Sequence, residues 1–322
     1  MRRRTIRLAM VLAAWAGFGC DPAAPAPAGV SEAPRPWAVL PWGEAAGRVD
    51  GQEAASEGPK SFAVLPDGGI VVLDQVHRRI LRLDAAGHAG NAIELPRPTF
   101  DDVEQFEGRA VLALERLGAG VLLALDLEGA LLAEVAVEGR GIERAGMVTA
   151  MLSRPDGVWL EVDHRHSVRV LDRDLRPCDR RIVLGRPIAN GRSLRAALDG
   201  RGGVDVSLGG RVERLPERSV SLKGDGPVER IVWFDADAAG RVHVILDEVE
   251  RSAVPPYDVS RERYLLVVLD EGLREIGRAE SPWVLTRYDQ SVEFRVGPDG
   301  RVWQMVFADD GVRLLDWGRR AP

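Results

Sequence analysis

Residues 61–95 read SFAVLPDGGIVVLDQVHRRILRLDAAGHAGNAIEL. Three runs, SFAVL, IVVLD and ILRLD, are short and rich in Leu and β-branched residues, and HAGNAIEL follows as a fourth. The segments PDGG, QVHRR and AAG separate them, and Asp67-Gly68 supplies the chemistry of a tight turn. None of the runs has a helical period. The stretch therefore reads as four strands joined up and down.

The same grammar recurs outward from this unit. Residues 101–137 give DDVEQF, RAVLALE, VLLALD and ALLAEVAV; residues 147–184 give MVTAMLSR, VWLEV, VRVLD and CDRRIVL. A weaker fourth unit runs over 193–222, with VDVSL and RVERL as its middle strands. The fifth has VERIVWF, the turn DADAAG and RVHVIL, then resumes at YLLVVLD after an insertion, ERSAVPPYDVSRER (250–263). The sixth has SVEFRV, RVWQMVF and VRLLDW. Turn glycines at Gly68, Gly108, Gly157, Gly202, Gly240 and Gly300 recur every 38 to 49 residues, except for a last gap of 60 that holds the insertion. Four-stranded repeats of this length predict an all-β chain, a six-bladed β-propeller of antiparallel blades. The last unit supplies only three strands before the chain stops. WAVLPW (37–42) lies outside every repeat and is expected to be the missing outer strand, closing the ring and placing Trp42 and Trp317 in one blade.

In DGGIVVLDQVHRRILRLDAAG (67–87) and RPDGVWLEVDHRHSVRVLD (154–172) the chain resembles the NHL-repeat family. The resemblance covers about residues 58–318 in its grammar and implies a propeller. Enzymes, receptors and scaffolds share that fold, so it implies little about chemistry.

The 322 residues are 45% hydrophobic and 29% charged, and acids outnumber bases 49 to 43. This is globular composition without the basic footprint of a general nucleic-acid binder. Arg2, Arg3, Arg4 and Arg7 precede a short apolar run at 8–19, which together read as a secretory signal peptide (1–20). Two processing sites compete. Ala14-Trp15-Ala16 fits small-residue cleavage, whereas Gly17-Phe18-Gly19-Cys20 resembles a bacterial lipobox with Cys20 as the lipidated mature N-terminus. Its first two positions depart from the usual Leu and small residue. DPAAPAPAGVSEAPRP (21–36) is expected to be an extended linker ahead of a propeller domain at 37–322. Without the four signal Arg the balance is 39 basic to 49 acidic, a net charge of −10. Location is then expected to be extracytoplasmic, with the lipid as the sole membrane attachment.

Turns between second and third strands share a face with the blade-to-blade connections, the usual binding surface of a propeller. That face is expected to carry Gln75, His77, Arg78, Arg79, Arg116, Asp163, His164, Arg165 and His166, with Tyr257 on the insertion. An Arg/His-rich rim suits an anionic small ligand or a protein bound by a monomeric scaffold. The plain alternative is solvated turns, with Arg79 bonded to the neighbouring blade. His164 and His166, two apart, would share one face of a strand, but with Asp163 alone they make a poor zinc site. DADAAG (235–240) reads as a β-turn rather than a calcium loop. Cys178 has Arg176, Arg180 and Arg181 beside it, which would lower its pKa. No cofactor is expected, and no G-x-S-x-G, P-loop or H-E-x-x-H occurs. A rival reading is a metal-dependent lactonase of the gluconolactonase type, with Glu104, Asp235 and Glu293 converging on the central channel.

Overall fold

The second strand of each repeat except the fourth is buried on both faces along most of its length, because neighbouring blades cover both of its sides. In the computed structural model, which describes residues 34–47, 57–188, 191–210, 217–255, 258–282 and 290–319, the run AVLALE at 110–115 is buried at every position. The described residues form six four-stranded antiparallel sheets. Counted from the innermost strand outward, the first blade is β2 (Ser61–Val64), β3 (Ile70–Asp74), β4 (Arg79–Leu83) and β5 (Ala89–Glu94). The second is β6 (Asp102–Phe106), β7 (Ala110–Glu115), β8 (Val121–Asp126) and β9 (Leu131–Ala136). The third is β10 (Val148–Arg154), β11 (Gly157–Val162), β12 (His166–Asp172) and β13 (Ile182–Leu184). The fourth is β14 (Arg186–Pro187), β15 (Ser193–Leu198), β16 (Gly203–Gly209) and β17 (Arg218–Lys223). The fifth is β18 (Val228–Ala236), β19 (Val242–Arg251), β20 (Val259–Leu269) and β21 (Glu275–Pro282). The sixth is β22 (Phe294–Val296), β23 (Arg301–Ala308), β24 (Gly311–Arg319) and, from the other end of the chain, β1 (Arg35–Pro41).

The ring closes. Strand β2 touches β6 and β6 touches β10, while β18 touches β22 and β22 touches β2. The core consists of apolar layers between adjacent blades: Phe106, Leu112 and Leu160 between the second and third, for example, and Phe62, Ile70 and Met305 between the first and sixth. Each fully buried Leu or Phe contributes roughly 1.5–3 kcal/mol. The expected closing strand is present and antiparallel to β24, from Arg35↔Asp316 to Pro41↔Gly311. Leu40 is buried, Trp37 meets Trp303 edge to face at 5.0 Å, and Trp42 Nε1 donates to the Ala308 carbonyl at 2.8 Å. Pairing starts at Arg35, so the strand claims the last two residues expected of the linker. The signal peptide, Cys20 and the linker up to residue 33 lie outside the described residues.

Two strand assignments need correction. The fourth blade begins at Arg186 rather than at 193. Its inner strand has only two residues, too few to show a pattern, so Gly202 sits between the second and third strands instead of the first and second. RVERL at 211–215 lies outside the described residues. The insertion at 250–263 is mostly not a loop: β19 and β20 stay paired through Glu248↔Arg263, Glu250↔Arg261 and Arg251↔Val259. The ladder of the fifth blade extends beyond those of its neighbours, leaving only 252–258 to turn the chain; Tyr257 lies outside the described residues.

Turn chemistry follows one device. Asp84, Asp126, Asp172 and Asp270 end third strands, and each accepts the amides two and four residues onward on a single carboxylate oxygen. Asp237 does the same for Ala239 and Arg241, so DADAAG is a turn closed on itself.

Candidate functional site

The blade-to-blade connections and second-to-third turns define an upper face, and the first-to-second and third-to-fourth turns a lower one. Cavities open at both ends of the central axis, about 570 Å³ at the upper mouth and about 350 Å³ at the lower. Because β14 is so short, Ala196 and Leu198 of a second strand reach the upper cavity, which elsewhere is walled by innermost strands and upper turns.

Between the cavities lies a buried cationic and aromatic plug. The guanidinium carbons of Arg186 and Arg295 stand 4.5 and 4.9 Å from the Trp233 ring centroid, and Arg186 is 3.9 Å from that of Phe234. Arg186 grips Glu161 with two bonds, Nε to Oε1 at 2.8 Å and Nη2 to Oε2 at 2.9 Å, in side chains only 2% and 1% exposed. Thr149 Oγ1 donates to Glu161 Oε2 at 2.8 Å, and His164 Nδ1 lies 3.2 Å from the same oxygen. Burial opposes ionisation of Glu161. The Arg186 charge and these hydrogen bonds outweigh it and hold the carboxyl well below its ordinary range.

Arg116 and His164, both expected on this face, line the upper cavity with Arg230. Arg116 donates from Nε to Asp101 at 2.7 Å and from Nη1 to the Val148 carbonyl at 3.1 Å. Arg230 is 56% exposed and donates to Asp247 at 3.0 Å; burial, ahead of the opposing Arg230 charge, pushes Asp247 up. The other expected residues stand elsewhere. His77 and Arg79 both bond Asp74, at 2.7 and 3.1 Å, and Arg79 also donates to the Glu44 and Ala45 carbonyls that follow β1. This is the inter-blade role weighed for Arg79. Arg78 and Arg165 are exposed on their turns. Gln75 is not a rim group: it is buried, donating to the Gly58 carbonyl and accepting from the Lys60 amide.

His164 and His166 do not share a face. His164 takes a left-handed φ of 55° in the turn, so the strand alternation assumed for the pair is broken, and His166 turns its Nε2 toward the Gly141 carbonyl at 3.0 Å. Burial raises the Cys178 thiol and outweighs the lowering by Arg169; Arg180 instead donates to the carbonyls of residues 136–138. Glu104 and Asp235 do meet in the lower cavity. Glu293 does not join them: Tyr264 Oη and Gln304 Nε2 donate to it at 3.0 and 2.9 Å between the fifth and sixth blades. Among the described residues no three His, Cys, Asp or Glu side chains are placed to hold a metal ion together.

Glu161, Arg186, Trp233 and Arg295 were not singled out from the sequence. One signal was available. Glu161 is a lone acid inside VWLEV, a strand buried along its whole length. A charge there requires a buried partner.

These features define the class: a closed six-bladed β-propeller with a polar channel interrupted by an arginine–tryptophan plug. No known protein-family model and no curated protein matches the chain by sequence. Among solved structures it is similar to Kuenenia stuttgartiensis hydrazine synthase, at 12% identity and a TM-score of 0.53 over 84% of this chain and 80% of that one. A member of the DUF4221 family from Bacteroides vulgatus is similar at 10% identity and a TM-score of 0.53, over 89% of this chain and 96% of that one. At such identities the likeness is one of fold.

Proposed function

We propose that this is a lipid-anchored, extracytoplasmic binding protein of the NHL-repeat kind, whose upper face takes an anionic ligand, either a small molecule or an acidic stretch of a protein partner. The observation that carries the reading is the upper cavity of about 570 Å³, with Arg116, Arg230 and His164 at its wall and no ordering needed to form it. The position of the tether supports it. The Arg35 end of β1 lies at the lower rim, where Trp37 Nε1 donates to the Ala85 carbonyl of a third-to-fourth turn. A tether from Cys20 would then join the domain at its lower rim and leave the upper face clear of the attachment.

The lactonase alternative finds less support, because Glu104 and Asp235 lie beside Arg295 and Arg154 and Glu293 is apart from both. Calorimetric titration with citrate, inositol hexakisphosphate and a poly-glutamate peptide tests the binding reading. Saturable binding of at least one, weakened in Arg230→Ala and His164→Ala, is expected. Failure of all three to bind, or binding unchanged in both variants, refutes it. Anchoring is read separately, by whether Cys20→Ser moves the protein from the detergent to the aqueous phase.

A further inference from the structure

The lower cavity lies at the opposite end of the axis from that proposed site, and its polar atoms do not balance internally. Each nitrogen of Arg154 has an acceptor: it donates to the Pro187 and Ser153 carbonyls and to Asp235 Oδ1. Arg295 differs. Its Nε donates to the Phe62 carbonyl at 2.9 Å, and Nη2 to Asp102 Oδ1 at 2.8 Å and the Val103 carbonyl at 3.0 Å. Its Nη1, in a side chain only 4% exposed, has no hydrogen-bond partner. Glu104 Oε2 lies 3.6 Å from this Nη1, beyond hydrogen-bond reach, while Oε1 already accepts the Gln105 amide at 2.9 Å. Asp235 accepts Arg154 and the Ala236 amide on Oδ1, which leaves Oδ2 unused.

The cavity thus offers one strong buried donor beside two open acceptors. A simple anion would satisfy Arg295 Nη1 but meet two carboxylates. An ammonium group or metal cation would suit the carboxylates, but it would face a guanidinium and leave Nη1 without an acceptor. A hydroxyl meets both demands without net charge, because it accepts one hydrogen bond and donates another. With Nη1 and Oε2 3.6 Å apart, one hydroxyl oxygen can stand about 2.8 Å from each. An adjacent hydroxyl on the same ligand can donate to Asp235 Oδ2. Turn prolines Pro66, Pro155 and Pro298 give the mouth apolar edges suited to C–H faces. At about 350 Å³ the space is within the range of small-molecule sites.

We propose that the lower mouth binds a small neutral polyol of monosaccharide size, holding one hydroxyl between Glu104 Oε2 and Arg295 Nη1 and a neighbouring one on Asp235 Oδ2. The test is methyl-resolved NMR of the full-length protein in detergent, titrated with glucose, galactose, xylose, mannitol, glycerol, acetate and methylammonium. At least one polyol should shift the methyls of Val64, Ile188 and Val296 saturably and leave Leu198 and Val232 of the upper cavity unmoved. Glu104→Gln and Asp235→Asn should each weaken that polyol by about tenfold or more, since each replaces a charge-assisted hydrogen bond with a neutral one. Arg230→Ala should not change it. Three results overturn the proposal: no polyol moves the lower methyls, so that the gap holds water only; acetate or methylammonium moves them in place of the polyols; or polyol binding is unaltered in both lower-mouth variants. Should Glu104→Gln fail to fold, the Asp235→Asn titration alone decides. The anionic probes of the upper mouth read out on different methyls, so either site can fail without the other.

Discussion

Glu104 gives the buried network a measurable sign. Burial pushes its carboxyl up from 4.5 to about 6; the Arg295 charge and the Gln105 amide pull the other way, while Asp102 and Asp235 add to the rise. In the unfolded chain the group ionises near its ordinary value. Between the two values the unfolded chain has released a proton that the folded chain still holds. The stability this group contributes is therefore fully present below about pH 4.5 and is lost as pH rises through about 6. A rise from 4.5 to about 6 is worth about 2 kcal/mol, or roughly 3 °C in Tm for a domain of this size. The assay is urea unfolding of the wild type and Glu104→Gln at several values between about pH 4 and pH 7.5. Other acids titrate in both proteins, so the difference between the curves belongs to Glu104. The variant should gain about 2 kcal/mol on the wild type across that range, most of it between about pH 4.5 and 6. Parallel curves, or a wild type that gains on the variant, would refute the claim that this carboxyl is ionised at a cost in the fold.

Two further predictions concern how the ring is held. Arg186→Met leaves Glu161 charged and buried beneath the upper cavity and should cost about 3–5 kcal/mol in urea unfolding, whereas Arg186→Met with Glu161→Gln should recover most of it; equal losses in the two proteins would show that the pair is not coupled. A chain beginning at Gly43 lacks β1 and exposes the edge of β24, so it should melt lower and associate with rising concentration in light scattering. Unchanged melting and a concentration-independent mass would mean that closure by β1 is dispensable.

The ring was legible because its signal is repeated. Each blade needs an apolar run long enough to fill the layer between two neighbours, followed by a turn of restricted chemistry, and SFAVL-PDGG-IVVLD shows both. The closing strand was legible by subtraction, from three strands at one end and an unassigned WAVLPW at the other. Where the repeat weakens, so did the reading. Two residues of β14 carry no periodicity, and Asp199-Gly200 after β15 has the same turn chemistry as a first-to-second connection. The insertion was misread for the opposite reason. Glu250, Arg251, Arg261 and Glu262 look like loop residues, yet they form a two-stranded extension held by its ladder, with Arg251 bonded twice to Glu229 at 2.9 Å.

The site was less legible than the fold because its parts act at long separation in the chain. Arg186 is 25 residues from Glu161 and Arg295 is 193 from Asp102. No spacing rule joins such pairs: Arg186, Arg295 and Asp102 stand on innermost strands, and Glu161 on the second strand β11. The innermost strands of all six blades surround one axis, so charges on them such as Arg186, Arg295 and Glu104 can be gathered at its two cavities. There each must find an opposite charge, a carbonyl or a ligand, because a buried unpaired donor costs more than a hydrogen bond gains. Arg186 finds Glu161 and the Phe234 carbonyl, and is satisfied. Arg295 finds Asp102 and two carbonyls but leaves Nη1 over. Of two arginines against the same indole only Arg295 thus keeps a nitrogen without an acceptor, and that spare donor is what the proposed ligand at the lower mouth would meet. If Arg295 Nη1 were merely tolerated, polyols would leave the lower methyls unmoved, and the ~1–3 kcal/mol typical of an unmet buried donor would remain as a standing cost of the fold.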